Sequence, residues 1–389
     1  RHGGRGGVIM SAPFAVRGNL LLGNRFSPGA LVIEDGKIAA IQREPLDTSL
    51  PSRVIEVDYI SPGFIDLQVN GGFGVEVGND PSAIRHLSAC LPATGVTAFL
   101  PTVVTAPDDF YQQAFAAFDA AKDAQGARPL GLHLEGPLLA LARKGAHRPE
   151  IIEAANPAIL DQFAASGVTR LVTLASERPG VLPAIRRLRD AGIVVSLGHT
   201  DATIAEFLTG VDAGATMATH LYNAMSPFHH RDPGVIGGAL VDDRVTVGLI
   251  PDGIHSHPAS LQLAVRAKSP RRIAIVTDMM SAAGMAPGAY HLGGQEVIVD
   301  EQSARLASGA LAGSIILMDE AVRNIIRWTQ ATPAEAMMMA STVPAHVLGL
   351  KQAGKIIAGY RADLTLLAQD WSIVATIIGG EVVYQREGR

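Results

Sequence analysis

The sequence predicts an α/β protein, a (β/α)8 TIM barrel carrying a small β-sandwich domain built from both chain ends. Three observations carry that prediction. Between about residues 61 and 349, apolar strand-like runs alternate with helical patterns, the signature of a parallel sheet. Eight such runs can be counted, the number that closes a barrel. No Gly-rich dinucleotide fingerprint follows the first run, which removes the main argument for an open doubly wound sheet.

Taken in order, residues 1–9 (RHGGRGGVI), ahead of Met10, read as a leftover segment outside the fold. From Phe14 to about Ile60 the pattern is short strands and turns. Within Ala30–Ile41 an Asp35-Gly36 pair separates two apolar runs, a strong hairpin signal. Gly359–Val383 again reads as strands, with a turn at Gly379-Gly380. Neither end is long enough to bury a core alone, so residues 10–60 and 350–389 are expected to join in one small domain.

The eight expected barrel strands are Tyr59–Asn70, Thr97–Thr105, Pro129–Glu135, Thr169–Ser176, Ile193–His199, Thr216–Tyr222, Thr246–Asp252 and Arg272–Asp278. Apolar residues recur at helical spacing in Pro107–Asp123, Leu182–Ala191 and Pro258–Lys268. Residues 289–309 read as an inserted β-hairpin, and the chain then continues into helices over Ile315–Trp328 and Pro333–Leu348.

Hydrophobic residues make up 48% of the chain and charged residues 18%, enough apolar material for a large ordered core. A formal net charge of -5 and the lack of a Lys/Arg cluster argue against nucleic acid as a partner. No apolar run reaches the ~18 residues of a membrane span, and no leader pattern is present. A single cysteine, Cys90, excludes an internal disulfide. The expectation is a soluble cytoplasmic protein with a small-molecule partner.

Active sites in barrels of this kind form at the C-terminal ends of the strands. Here those ends carry Gln68, Asn70, Glu135, His199, His220, Asp252 and Asp278, almost all of them potential ligands or acid/base groups. An ionised Glu135 closing an apolar strand is costly unless a cation or metal pairs with it. Glu135 with His199 and His220 makes a set of one carboxylate and two imidazoles suited to a divalent metal with an open position for water. Such a metal acidifies water and polarises a carbonyl, and Asp278 nearby can take a proton and return it to a leaving amine. His133, one layer deeper on the strand of Glu135, reads as a hydrogen-bonded support.

Several longer stretches then carry a resemblance. They are Ser61–Gly71 (SPGFIDLQVNG), His133–Pro137 (HLEGP) with Lys144–His147 (KGAH), Gly198–Thr200, Thr219–Met225, Asp252–His255 and Leu311–Ser314. Together, and in this order, they resemble the N-acetylglucosamine-6-phosphate deacetylase family of the amidohydrolase superfamily, over about residues 33–360. The resemblance implies hydrolysis of the acetamide of an N-acetylated amino-sugar phosphate. It implies Glu135, His199 and His220 as metal ligands, Asp278 as proton donor and acceptor, and His147 as the group facing the acetyl oxygen. It further implies substrate contacts from Ala146, His147, Asn223, Ala224, Arg231, Asp252, Gly253, Ile254, His255, Leu311, Ala312 and Gly313. Arg231 suits a phosphate clamp, because a guanidinium presents a planar fork of donors; His229 and His230 share its loop. A homodimer in which a neighbouring subunit completes the phosphate site is also implied.

One departure bears on the cofactor. Where many amidohydrolases carry His-x-His at the end of the first strand, this chain has Gln68-Val69-Asn70, and no lysine follows the fourth strand, only Ser176 and Glu177. Amides are poor ligands, so Gln68 and Asn70 mark a vacant second-metal position and one divalent metal per chain is expected. Zinc comes first, with iron(II), manganese and cobalt as alternatives. Rival readings are an N-acetylgalactosamine-6-phosphate deacetylase, a ring-opening amidohydrolase of the dihydroorotase or hydantoinase kind, and a non-catalytic barrel used for binding.

Overall fold

A computed structural model describes residues 12–46 and 48–387. The proposed leftover segment, residues 1–9, lies outside the described residues. The expected β-domain forms from both chain ends as one seven-stranded sheet. Its central seam is the antiparallel pairing of Leu364–Leu367 with Val54–Pro62, which joins the C-terminal strands to the N-terminal ones. The predicted hairpin is present: Arg25–Glu34 pairs with Lys37–Arg43 across Asp35 (φ 50°) and Gly36 (φ 75°), the two left-handed positions of a tight turn. Phe14, Val16, Leu31, Ile33, Ile60, Leu364 and Ile377 form a core for this sheet.

The second sheet contains eight parallel strands in chain order: Phe64–Val69, Val96–Val104, Leu132–Glu135, Thr169–Leu174, Val194–Leu197, Met217–Ala218, Thr246–Leu249 and Ile273–Ile275. The barrel closes at its C-terminal rim. Val69 bridges Met279 in parallel, and the Asp278 N–H donates to the Gln68 carbonyl at 3.0 Å. Buried Asp66 reinforces that seam by accepting from the Thr277 hydroxyl (2.6 Å) and backbone N–H (3.3 Å).

Three boundaries differ from the sequence reading. The run Tyr59–Asn70 is two strands: residues up to Pro62 belong to the end sheet, and the barrel strand begins at Phe64. The division falls at Gly63, where a Cβ would sit 2.2 Å from the Thr97 hydroxyl, so only glycine passes. The helix expected over Pro333–Leu348 is broken into Pro333–Ala340 and Thr342–Val347. Pro344 has no N–H to give the Ala340 carbonyl, and Ser341 leaves helical geometry. The insertion gains a third strand: Gly288–Leu292, Gln295–Val299 and Ala304–Leu306 form a small antiparallel sheet.

Candidate active site

Glu135, His199 and His220 each sit where a barrel strand gives way to its loop, and the fold turns all three side chains into one place. The ligand atoms they offer lie within 4.8 Å of one another, and all three residues are buried. His220 Nε2 lies 3.1 Å from Glu135 Oε1 and 3.0 Å from His199 Nε2. His199 Nδ1–H donates to the Arg143 carbonyl at 2.9 Å, which fixes the tautomer and leaves the Nε2 lone pair aimed at the centre. One carboxylate oxygen and two imidazole nitrogens converging in a buried setting fit a divalent metal.

The backbone is bent to achieve this. His199 (φ 47°), His220 (φ 29°) and Asp278 (φ 52°) all occupy the left-handed region, which disfavours residues with a Cβ by roughly 1–2 kcal/mol each. At a strand end that conformation turns the chain sharply and swings the side chain over the barrel mouth. Gly145 (φ 54°) lets the neighbouring loop approach: a Cβ there would lie 3.1 Å from His199 Cε1.

Charges in the cluster are interdependent. Burial works against the Glu135 carboxylate, but the His199 and His220 rings beside it hold it well below the usual carboxylate range. Burial likewise opposes protonation of His220, and Glu135 outweighs it, so its basicity rises. Asp278 is pushed up to about 6 by burial and by the nearby Glu135. Asn70 Nδ2 donates to Asp278 Oδ1 at 2.7 Å and Gln68 Nε2 to Glu135 Oε1 at 3.0 Å. The two amides at the end of the first barrel strand thus act as neutral donors that orient the acidic pair.

His147 is held low, at about 3, chiefly by burial, and is neutral. Its Nδ1 accepts from the Thr105 backbone N–H (3.3 Å), so the proton resides on Nε2, 3.8 Å from Glu135 Oε2. His133 is also neutral, lowered to about 4 by burial. Its Nδ1 faces the Leu67 carbonyl (3.1 Å) and its Nε2 the Thr173 hydroxyl (2.8 Å), so it braces the barrel interior beneath the cluster.

The cavity above the cluster has a volume of about 330 Å³. Of the residues named from sequence, Asn70, Glu135, Ala146, His147, His199, His220, Asn223, Ala224, His255, Asp278, Leu311 and Gly313 line it. Six others do not. Gln68 and Asp252 stand behind the lining: Asp252 Oδ2 meets His255 Nδ1 at 2.6 Å, and its Oδ1 accepts the Ile254 and His255 N–H groups. Gly253 (φ 78°) packs on Trp328, Ile254 faces solvent, and Ala312 is fully buried beneath the inserted sheet. Arg231 is exposed on its loop, with Nη1 against His230 Nε2 at 2.9 Å. Arg143, Val104 and Leu292 line the cavity without having been singled out. No sequence signal marks Val104 or Leu292. Arg143 adjoins the KGAH stretch, which was the available clue.

Fold and site together define a class, a barrel enzyme whose strand ends bring a candidate metal-binding triad together beside a further buried carboxylate. The chain belongs to the amidohydrolase family, which it matches over residues 59–383. It is 37% identical over 369 residues to N-acetylglucosamine-6-phosphate deacetylase of Bacillus subtilis (strain 168), covering 92% of this chain and 93% of that protein. It is 40% identical over 358 residues to N-acetylgalactosamine-6-phosphate deacetylase of Escherichia coli O157:H7, covering 90% and 94%. Among solved structures, N-acetylglucosamine-6-phosphate deacetylase of Pasteurella multocida superposes with a TM-score of 0.91 at 31% identity, covering 96% of this chain and all of that one. A mutant of the Mycobacterium smegmatis deacetylase in complex with N-acetyl-D-glucosamine-6-phosphate also gives 0.91, at 32% identity and 96% and 100% coverage.

Proposed function

We propose that this chain hydrolyses the acetamide of N-acetyl-D-glucosamine 6-phosphate, releasing acetate and D-glucosamine 6-phosphate. The observation that carries the reading is the convergence of Glu135, His199 and His220 beside Asp278 at the floor of one cavity. The family match and the deacetylase relatives support it.

Glu135, His199 and His220 would hold one divalent metal, zinc in this reading, which supplies Lewis-acid polarisation of the acyl carbonyl and acidifies water. Asp278 is the proton carrier. Its Oδ1 is occupied by Asn70, leaving Oδ2 to take a proton from the attacking water as the new C–O bond forms. It then delivers that proton to the amine nitrogen as the C–N bond breaks. His147 Nε2–H faces the acyl oxygen as negative charge grows there. Asn223, Ala224, His255 and the Leu311–Gly313 segment border the sugar, with Asp252 fixing the His255 ring and Gly253 and Ile254 forming the turn between them.

Arg231 is assigned to the phosphate from a neighbouring subunit. It is exposed and outside its own chain's cavity, on the same loop as Phe228, itself 58% exposed. That arrangement supports a homodimer as the functional unit. A cytoplasmic location is part of the same reading, in keeping with the single cysteine.

A second reading, the galacto epimer, is favoured by the 40% identity to the Escherichia coli enzyme. The test is acetate release from both sugar phosphates by protein stripped of metal and then given one equivalent of zinc, with a metal count on the protein as isolated. Restoration at about one metal per chain with preference for the gluco substrate is expected. A strong galacto preference would replace the first reading with the second, and bound metal without acetate release would remove both.

A further inference from the structure

A second cavity of about 360 Å³ adjoins the first, and Val104 lines both. Val104 ends the second barrel strand in register with Glu135 on the third. Two residues earlier, Thr102 pairs with His133, and their side chains approach within 3.4 Å across the inner face. By strand alternation, Val104 and Glu135 share that inner face one layer higher, at the barrel mouth. The next residue, Thr105, is the one that holds His147.

Opposite Val104 stands the turn of the inserted sheet. Leu292 lines the first cavity and Gly293 the second. Gly293 lies so close that a Cβ on it would sit 3.0 Å from Val104 Cγ2. The turn is pinned on both sides. The Gly293 N–H donates to half-buried Glu76 at 2.6 Å, and Gln295 Nε2 donates to the Ala146 carbonyl. Val104 and Leu292 therefore form a fixed apolar partition between the two spaces.

An N-acetyl amino-sugar phosphate is polar nearly everywhere except at its acyl methyl. Besides Leu311, this partition presents the branched apolar side chains in the lining of the first cavity, and it flanks the group that faces the acyl oxygen. Beyond it, the second cavity is lined mostly by apolar groups, including Val77, Val103, Pro107, Phe110 and Ile151, with Glu76, Asn79, Asp80 and Arg148 among its polar members. We infer, resting on the deacetylase reading above, that Val104 and Leu292 set the length of acyl group the site accepts. The space behind them is a hydrocarbon subsite that the Val104 side chain keeps closed.

The experiment compares kcat/KM for N-acetyl- and N-butyryl-glucosamine 6-phosphate in wild type, Val104→Ala and Leu292→Ala, each metal-loaded and checked for folding by circular dichroism. Opening the partition should raise the butyryl-to-acetyl ratio by about tenfold or more, the discrimination that one or two methylenes provide in an apolar pocket. Val104→Ile should lower it below wild type. Leu292→Ala carries the test if Val104→Ala does not fold. A ratio within about twofold of wild type in the folded variants, with acetate release retained, overturns the inference alone. Wild-type protein that releases no acetate removes the deacetylase reading, and the inference with it.

Discussion

Replacing Asp278 with Asn separates proton transfer from metal binding. Asp278 is not among the three converging ligand atoms, so its loss should leave the metal count unchanged. Asn is nearly isosteric, and its carbonyl can still accept the 2.7 Å bond from Asn70, so the loop should keep its shape. What disappears is a group that can take a proton and give it back. A positioned acid/base contributes about 10²–10⁴-fold, or roughly 3–5 kcal/mol of barrier. The environment of Asp278 makes it a stronger base than an exposed carboxylate: burial and the Glu135 charge push it up to about 6. The assay is acetate release at saturating substrate, paired with a metal count. Wild-type activity should fall at acidic pH, because the required form is the ionised one, with the midpoint drawn below about 6 toward the ordinary carboxylate range by the cation at the ligand cluster. The variant should show a low rate without this acidic limb. Turnover within about tenfold of wild type at full metal content would refute the role of Asp278.

Other expectations follow from the same geometry. Arg231→Ala should raise KM for the phosphorylated sugar far more than for the unphosphorylated one, and equal effects in steady-state kinetics would remove the phosphate clamp. Asp66, pushed up to about 7 mainly by burial, retains its proton in the folded state at pH values where the unfolded chain has lost it. Its contribution is therefore complete below about pH 4 and declines as pH rises to about 7, with a ceiling of about 4 kcal/mol. Thermal melts at pH 5 and pH 8 should show Asp66→Asn losing less stability over that interval than wild type; identical losses would mean the group does not titrate there. Asp363, 5% exposed in its side chain, accepts from Arg128 at 2.8 Å, from Arg361 at 2.9 Å and from the Gly379 N–H at 2.7 Å. Asp363→Ala should cost about 3 kcal/mol in denaturant titration by leaving these donors unmatched between barrel and end sheet, and a loss under about 1 kcal/mol would show the network to be dispensable.

Much of the site was legible because its residues lie on a regular scaffold. Once eight strands are counted, strand ends become addresses, and Glu135, His199, His220 and Asp278 occupy four of them. The amide pair was legible only as a departure from a metal pattern. That Asn70 donates to Asp278 depends on the barrel closing between its first and eighth strands, and that Gln68 donates to Glu135 depends on its side chain reaching the third strand, neither of which local sequence reports. Asp252 was read as a substrate contact, whereas it stands behind His255 and fixes its ring, because a turn of three residues folds the carboxylate back on the imidazole.

Composition, periodicity and turn chemistry determined the architecture. They also located the ends that pair, since the Asp35-Gly36 and Gly379-Gly380 turns are encoded by adjacent residues and local sterics. Tertiary structure alone decided three things. It fixed the division of the apolar run at Pro62-Gly63, a turn-prone pair whose glycine sits against Thr97 where no Cβ would fit. It turned His199, His220 and Asp278 into left-handed backbone, a strain that isolated strand ends would relax and the packed barrel mouth holds. And it set Val104 against Leu292 and Gly293, about 190 residues away along the chain, because which apolar side chains meet across a cavity follows from how distant elements pack and not from the spacing of either one.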